Sequence, residues 1–477
     1  MQIRLKKTSK IALGALLILL AGAFVFYKER VLFGDASYIA FNIINYNSFA
    51  IQEHRYGSFI TQMVPYIGQK LHLPLKAILL GYSISFNLFY LLVALLLVYR
   101  YKQYGLAILM ALYYFLFVSV SYFWTNNEIH QAVAWMFLFF GVIIHLGYKK
   151  ANFVLLLLSF LVLSFLTIYT HFIAIIPTAF LWIYLIFQKE NWPFSKNITI
   201  LFSALLVAII TAKYTSAAGK QSYDSDHLRG ISRLSLSDIY GSFNTPVVNM
   251  FYTRCKSNYW MSAVVFIAGI TALLRNKQWM LAVWTIVSCL GYIVLMGITY
   301  GDLDSRVLLF HIETEWQCLG IIIAAPFVFA LLPRLNTSLS ITLLVIIFVT
   351  RLAYIGSAIP IFNWRVRFEE QMLTQMKKKG ITKLALYDDL PEIREKYLLD
   401  WASGYESLFL STMDEDQPAR TFIFINKDDK QKRDLITSNH GFCGAWSIVP
   451  VNDMNSRYFK IDTDQAYHVM TYDEFFK

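Results

Sequence analysis

Charged residues are scarce in this chain of 477 residues, because only 15% of its positions are Asp, Glu, Lys or Arg. A soluble protein of this length would carry charge on about a quarter of its residues. Cysteine is scarce too, and the four cysteines have no spacing typical of a metal site. Internal repeats and low-complexity tracts are absent. The composition therefore excludes an ordinary soluble protein and disfavours a cysteine-based metal centre.

Long apolar runs take the place of the missing charge, and 57% of the residues are hydrophobic. Runs such as Ile11–Tyr27, Ala77–Val98 and Gln278–Ile298 are long enough to cross a bilayer as helices, which takes about 20 residues. The first run follows a basic start but lacks a clear cleavage site, so we expect a retained helix. The sequence predicts a polytopic α-helical membrane protein with about eleven transmembrane helices.

The distribution of charge predicts the orientation. If the amino terminus is cytoplasmic, the inner segments hold about thirteen Lys and Arg but a single acid, Glu190. The other acids before residue 360 then fall outside: Glu29, Asp35, Glu53, Glu128, Asp224, Asp226, Asp238, Asp302, Asp304, Glu313 and Glu315. We expect a protein of the cell inner (plasma) membrane whose carboxyl-terminal part is periplasmic or extracytoplasmic. The net charge of +11 reflects this orientation and predicts no nucleic-acid partner.

The composition changes after the last apolar run, which predicts two domains. Residues 1–355 would form the transmembrane domain, and residues 356–477 a small soluble α/β domain. An amphipathic helix is predicted from Asn363 to Gly380, with strands in KLALYDD and RTFIFINKDD and a helix between them. Cys255 and Cys443 both fall in outer segments, where they could pair or remain free thiols.

A single acid, Asp35, opens the long first outer loop directly after the first apolar run. The apolar residues that follow it are interleaved with Asn and Gln, which suits a helix lying in the membrane interface. A second interfacial helix is predicted over Ser58–Leu71, broken by Pro65. Asp35 could simply cap the first of these helices, or it could be a catalytic base at the membrane surface.

This loop resembles that of the GT-C superfamily, membrane glycosyltransferases that use sugars carried on polyprenyl phosphate, such as protein O-mannosyltransferases and the aminoarabinose transferase of lipid A. The resemblance rests on Gly34-Asp35 after the first span, Tyr38 three positions on, Pro65 and Lys70, and Pro74-Leu75 before the second span. It implies that Asp35 activates the acceptor. Many members carry two adjacent acids here, whereas Ala36 follows Asp35. That departure favours a carboxylate acting alone, although a divalent cation is left open as a cofactor.

Further site residues are expected, some from the resemblance and others from their place in outer segments. Glu128 would help to orient the acceptor or bind a cation, although it could equally be a helix-start acid stabilised by the dipole. Tyr38, Arg55 and His130 are candidates for contacts with the acceptor. The donor phosphate would be bound by basic residues of the later outer loops: Arg306, His311, Lys213 and Arg229. Lys213 and Arg229 belong to the long central loop, which could close over the lipid phosphate or acceptor but is by default a solvated loop. Arginine suits this role because its planar fork gives paired hydrogen bonds to phosphate. Arg306 could instead form an ordinary ion pair with Asp302 or Asp304.

The expected activity is transfer of a sugar from a polyprenyl-phosphate donor to a lipid, glycan or protein acceptor on the outer face. One alternative is an enzyme of the O-antigen polymerase or ligase type, which also has about a dozen spans and a long outer loop. A polysaccharide or lipid transporter is a weaker alternative. Transporters place ionisable residues in mid-membrane and show related halves, and the sequence has neither feature.

Overall fold

The structure, a computed structural model, describes residues 2–189, 192–217, 235–301, 313–388, 391–413, 418–438 and 440–477. Helices dominate it. In the amino-terminal half they are α1 (Gln2–Val25), α2 (Tyr27–Val31), α3 (Asp35–Tyr46), α4 (Phe59–Lys70), α5 (Leu75–Leu95), α6 (Tyr104–Leu116), α7 (Glu128–Tyr148), α8 (Phe153–Thr170), α9 (Ile175–Phe187) and α10 (Lys196–Ala217). The next are α11 (Leu236–Gly241), α12 (Pro246–Ser257), α13 (Trp260–Arg275), α14 (Trp279–Thr299), α15 (Leu319–Pro326) and α16 (Thr337–Lys378).

Eight helices of the described residues are long and apolar enough to cross a membrane, or nine if α12 and α13, bent by 85°, form one span. The protein is therefore a multi-pass membrane protein, as predicted, but eight or nine helices meet the length of a span rather than eleven. Two further predicted spans are shorter apolar helices, Tyr104–Leu116 and Phe172–Phe187. A helix of 13 residues extends only about 20 Å, less than the roughly 30 Å of the hydrocarbon core.

Helices α1 and α16 run side by side in the same direction. Near their starts the Arg4 guanidinium donates to the Leu335 carbonyl oxygen at 3.2 Å. Near the other end Lys28 forms an ion pair with Glu370 at 2.9 Å. The first loop and the domain that follows α16 consequently lie on the same face of the bundle, which we call the domain face. Which side of the membrane it occupies stays a prediction.

The carboxyl-terminal part is a small α/β domain, as predicted, and the structure shows that its main sheet is parallel. Its three-stranded sheet has the order β2-β1-β5, and β1 (Lys383–Tyr387) pairs in parallel with β2 (Thr421–Ile425) and β5 (His468–Met470). The other α-helices and strands of the domain are α17 (Pro391–Tyr397), α18 (Ser403–Thr412), α19 (Lys430–Ser438), α20 (Tyr472–Phe476) and the short antiparallel pair β3 (Phe442–Cys443) and β4 (Ile448–Val449). The predicted boundary at residue 355 falls inside α16. The helix predicted from Asn363 is therefore the last part of α16 and not a separate element.

Helix α3 differs from the predicted interfacial helix, because protein covers most of it. The Phe41 ring lies 5.1 Å from the rings of Tyr405 and Phe442, measured between centroids. The Asn45 side chain accepts a hydrogen bond from the Asn455 backbone N–H at 2.8 Å. An amphipathic pattern predicts an apolar partner but not its kind, and here the partner is the carboxyl-terminal domain instead of lipid. Helix α4 also differs, since it continues through Pro65 without a break.

Candidate active site

A cavity of about 660 Å³ lies on the domain face, between the first loop, the turn before α7 and the carboxyl-terminal domain. Four carboxylates line it, from Asp35, Glu53, Glu128 and Glu315, so we call it the acidic cavity. Among the described residues that line the cavity, Arg55 carries a positive charge. The cavity brings together two predicted catalytic residues that stand 93 positions apart in the chain.

Asp35 is the first residue of α3, and the backbone before it determines its direction. Gly34 has φ of +53° and ψ of −125°, a conformation that L side chains rarely adopt. The Trp124 indole N–H donates a hydrogen bond to Asp35 Oδ2 at 3.2 Å. Asp35 keeps some exposed surface towards the cavity, but the surrounding protein still desolvates it. Burial, followed by the nearby charge of Glu128, raises the pKa of Asp35 to about 7, against the opposing effects of Arg55 and Trp124.

Glu128 begins α7, where the Asn127 side chain caps the helix by accepting from the Ile129 N–H at 2.9 Å. Arg55 forms an ion pair with Glu128 at 3.2 Å, and both side chains are 12% exposed. The Asn126 side-chain amide lies 3.5 Å from the other carboxylate oxygen of Glu128. Glu128 thus stands at the start of a helix, where the helix dipole stabilises an acid, and it also faces the cavity.

An aromatic wall closes the cavity on the side of the carboxyl-terminal domain. The ring of Tyr38 lies 4.9 Å from that of Trp446, and Trp401 lies 5.0 Å from Trp446, measured between centroids. Trp446 is 69% exposed, which is unusual for so large a side chain. The wall therefore combines one residue of the predicted site with two tryptophans that sequence reasoning missed. Their spacing in the sequence shows no pattern, and only their exposure in the fold reveals them.

A buried ionic network lies behind Asp35. The Glu406 carboxylate, on α18, accepts a hydrogen bond from the Gly34 backbone N–H at 2.8 Å. It also forms an ion pair with Arg365 on α16, and its Oε2 accepts from the Tyr397 hydroxyl at 3.2 Å. The residue that directs Asp35 into the cavity is thereby tied to both α16 and the carboxyl-terminal domain.

Other predicted site residues lie elsewhere. His130 is buried, bonds through Nδ1 to the Tyr113 hydroxyl at 2.9 Å, and is not among the residues that line the acidic cavity. Its contact with the acceptor stays a prediction. Its position two residues after Glu128 on a helix turns it to a different side of α7. Lys213 is buried with its ammonium 5.5 Å from the centre of the Tyr169 ring. The predicted phosphate ligands Arg306, His311 and Arg229 lie outside the described residues.

The cysteines and the acids of the cavity bear on metal binding. All four cysteines are described and form no disulfide. Within the described ranges no three side chains of His, Cys, Asp or Glu come together as a metal-binding group. Glu128 is moreover already paired with Arg55. The described residues of the acidic cavity therefore present no ready-made metal-binding group.

Comparison with known proteins does not extend these observations. No protein-family model, no curated protein and no solved structure matches the chain.

Proposed function

We propose that this protein is a membrane glycosyltransferase that moves a sugar from a polyprenyl-phosphate donor to a hydroxyl acceptor at the acidic cavity. The observation that carries the proposal is Asp35, a carboxylate with a pKa near 7 that faces a cavity large enough for a sugar. A general base works best when its pKa lies close to the operating pH.

Asp35 acts in a single displacement. Its ionised carboxylate takes the proton of the acceptor hydroxyl while the acceptor oxygen attacks the anomeric carbon of the donor sugar. A new carbon–oxygen bond forms, the bond from the anomeric carbon to the phosphate oxygen breaks, and its electron pair leaves with the lipid phosphate. The Trp124 N–H bond holds Oδ2 of Asp35 and leaves Oδ1 to receive the proton.

The place of the cavity suits a donor carried by a lipid. Glu128 is the first residue of one candidate span, and Thr314 and Glu315, in the first turn of another, also line the cavity. A phosphate at the membrane surface is therefore close to the reacting carboxylate. Among the described lining residues, Arg55 carries the guanidinium that can stabilise the leaving phosphate. Arg306 and His311 are the further donors predicted from the sequence.

The aromatic wall suits the sugar. Tyr38, Trp401 and Trp446 offer ring faces beside polar groups, and such amphipathic rings can pack on the apolar face of a sugar while carboxylates bond its hydroxyls. About eleven spans, a cytoplasmic amino terminus and an inner-membrane location belong to the same proposal.

The test compares the surface lipids and glycans of three host strains by mass spectrometry: with the gene, without it, and with Asp35→Asn at normal protein level. We expect the deletion and Asp35→Asn to lose the same sugar mass from the same acceptor. The control is Asp473→Asn, the same chemical change at an exposed acid of α20. Full product in the Asp35→Asn strain would overturn the proposal, and a deletion that shortens a polymer instead would support the polymerase or ligase alternative.

A further inference from the structure

Two neighbouring cavities on the domain face are lined by basic side chains. One, of about 480 Å³, is lined by Lys28, Lys76, Lys377 and Arg420, with Glu370 as the carboxylate among its described residues. The other, of about 370 Å³, is lined by Arg457 and Lys460 together with His72. Neither shares a lining residue with the acidic cavity.

The two cavities adjoin each other at two points of the chain. Leu75 lines one and Lys76 the other, in the first turn of α5, and likewise Thr412 and Met413 at the end of α18. The neighbouring lining residues place the two cavities side by side, and we call the pair of cavities the basic trough. Its described lining holds six Lys and Arg side chains against one carboxylate, so an anion is its natural ligand.

The basic trough meets the membrane where two spans begin or end. Lys28 follows the span Arg4–Val25 by three residues, and Lys76 is the second residue of the span Leu75–Arg100. About one helical turn before Lys28, at the end of the span, the apolar side chains of Phe24 and Val25 are 58% and 64% exposed, as lipid-facing residues are. Cations beside exposed apolar side chains match both parts of an anionic lipid, the headgroup and the acyl chains.

We propose that the basic trough binds the phosphate-bearing headgroup of an anionic membrane lipid. Lys76, Lys377, Arg457 and Lys460 contact the phosphate oxygens, and the acyl chains run down the exposed end of α1. Lysine is a well-suited partner because its ammonium is a mobile point charge with three donors. The proposal does not depend on the glycosyltransferase activity, since the acidic cavity takes no part in it.

The test titrates the purified full-length chain in a neutral detergent with phosphatidylglycerol or phosphatidylcholine and counts bound lipids by native mass spectrometry. We expect phosphatidylglycerol to bind at least about ten-fold more tightly. The double variant Lys76→Gln/Lys377→Gln should weaken its binding by about ten-fold or more, because each lysine near the headgroup contributes roughly five-fold.

The matched control is Lys396→Gln/Lys430→Gln, which removes two exposed lysines of the carboxyl-terminal domain outside the basic trough. It should bind as the wild type does, and all variants should keep the wild-type melting temperature. Asp414, Glu415 and Asp416 follow Met413 in the sequence and lie outside the described residues. Because every variant keeps these three acids, the binding of each variant is compared with that of the wild-type chain.

Three outcomes would overturn the proposal. The first is equal binding of the two lipids, and the second is unchanged phosphatidylglycerol binding in Lys76→Gln/Lys377→Gln. The third is displacement of the lipid by inorganic phosphate at equal concentration. That result would show that the basic trough recognises free phosphate and not a lipid headgroup. We expect inorganic phosphate to compete only at concentrations at least a hundred-fold higher.

Discussion

The proposed chemistry depends on the carboxyl group of Asp35, whose surroundings place its change of protonation near neutral pH. Burial and the charge of Glu128 favour the neutral carboxyl, while Arg55 and the Trp124 N–H favour the ionised form. The balance lies near neutrality, where a carboxylate can take a proton at one step and release it at the next.

We expect transfer activity to rise with pH through about 7, as Asp35 loses its proton. Stability should follow the opposite direction. A raised folded-state pKa means that the contribution of Asp35 to folding is fully present below the unfolded-state value of about 4 and is lost as the pH rises to about 7. Asp35→Asn should therefore melt at a higher temperature than the wild type at pH 8, with a smaller difference at pH 5. A difference that does not change with pH would contradict the shifted pKa.

Gly34 permits the turn that directs Asp35, and it can be tested at the same scale. At φ of +53° an added Cβ is strained, and it would lie 3.1 Å from Leu399 Cδ1. Gly34→Ala should destabilise the fold by about 1–3 kcal/mol and lower the transfer activity. The control is Gly356→Ala within α16, where a Cβ meets no atom within 4 Å, so stability should stay the same or rise. Thermal unfolding of both variants is the measurement, and equal behaviour would contradict the strain.

At the scale of elements, the contact of α3, α16 and α18 through Glu406 determines how the first loop meets the carboxyl-terminal domain. A buried carboxylate that accepts from Gly34, Arg365 and Tyr397 joins three segments that are remote in the sequence. The burial of α3 beneath the domain has the same effect, so the acidic cavity has walls from both parts of the chain.

Glu406→Gln should loosen this junction, because Arg365 then has the more distant carboxylate of Glu369, at 3.8 Å, and the carbonyl oxygens of Leu398 and Leu399 as its described partners. Removing one partner of a buried ion pair costs about 3–5 kcal/mol, and we expect about 2 kcal/mol or more here since Glu369 remains. In limited proteolysis, the protease should cleave the Glu406→Gln variant at this junction faster than it cleaves the wild type. Glu395→Gln, at an exposed acid of α17, is the control and should behave as the wild type. Equal protease resistance of the two variants would show that the network does not hold the junction.

At the scale of the whole molecule, the parallel course of α1 and α16 places the first loop, the acidic cavity, the basic trough and the carboxyl-terminal domain on one face. The positive-inside distribution predicts that this face is the outer one. We expect a cysteine introduced as Lys430→Cys to react with a membrane-impermeant thiol reagent in intact cells, and one introduced as Lys149→Cys to react only after the membrane is opened. The reverse pattern would invert the orientation, and wild-type cells measure the reaction of the four native cysteines.

Local patterns in the sequence predicted those features that depend on neighbouring residues. Apolar runs identify the spans because lipid requires about 20 apolar residues in a row. Short apolar runs around Leu384 and Phe422, each followed by turn residues, identify the two paired strands. The number of full spans could not be predicted in this way. The run around Tyr113 is as apolar as a span, but its helix ends at Leu116, and protein, not lipid, buries the segment after it.

The sequence by itself determined the class of protein, the small α/β domain and the location of Asp35 and Glu128 at the edges of helices. Only the tertiary structure decided that Asp35, Glu128 and Arg55 share one cavity, and that Trp401 and Trp446 complete it. It also decided that α3 lies under the domain, and that Glu406 bonds to Gly34 across 372 positions. The physical reason is range: periodicity and hydropathy act over a few turns, whereas a site is assembled by contacts between remote segments whose pairing no local pattern specifies.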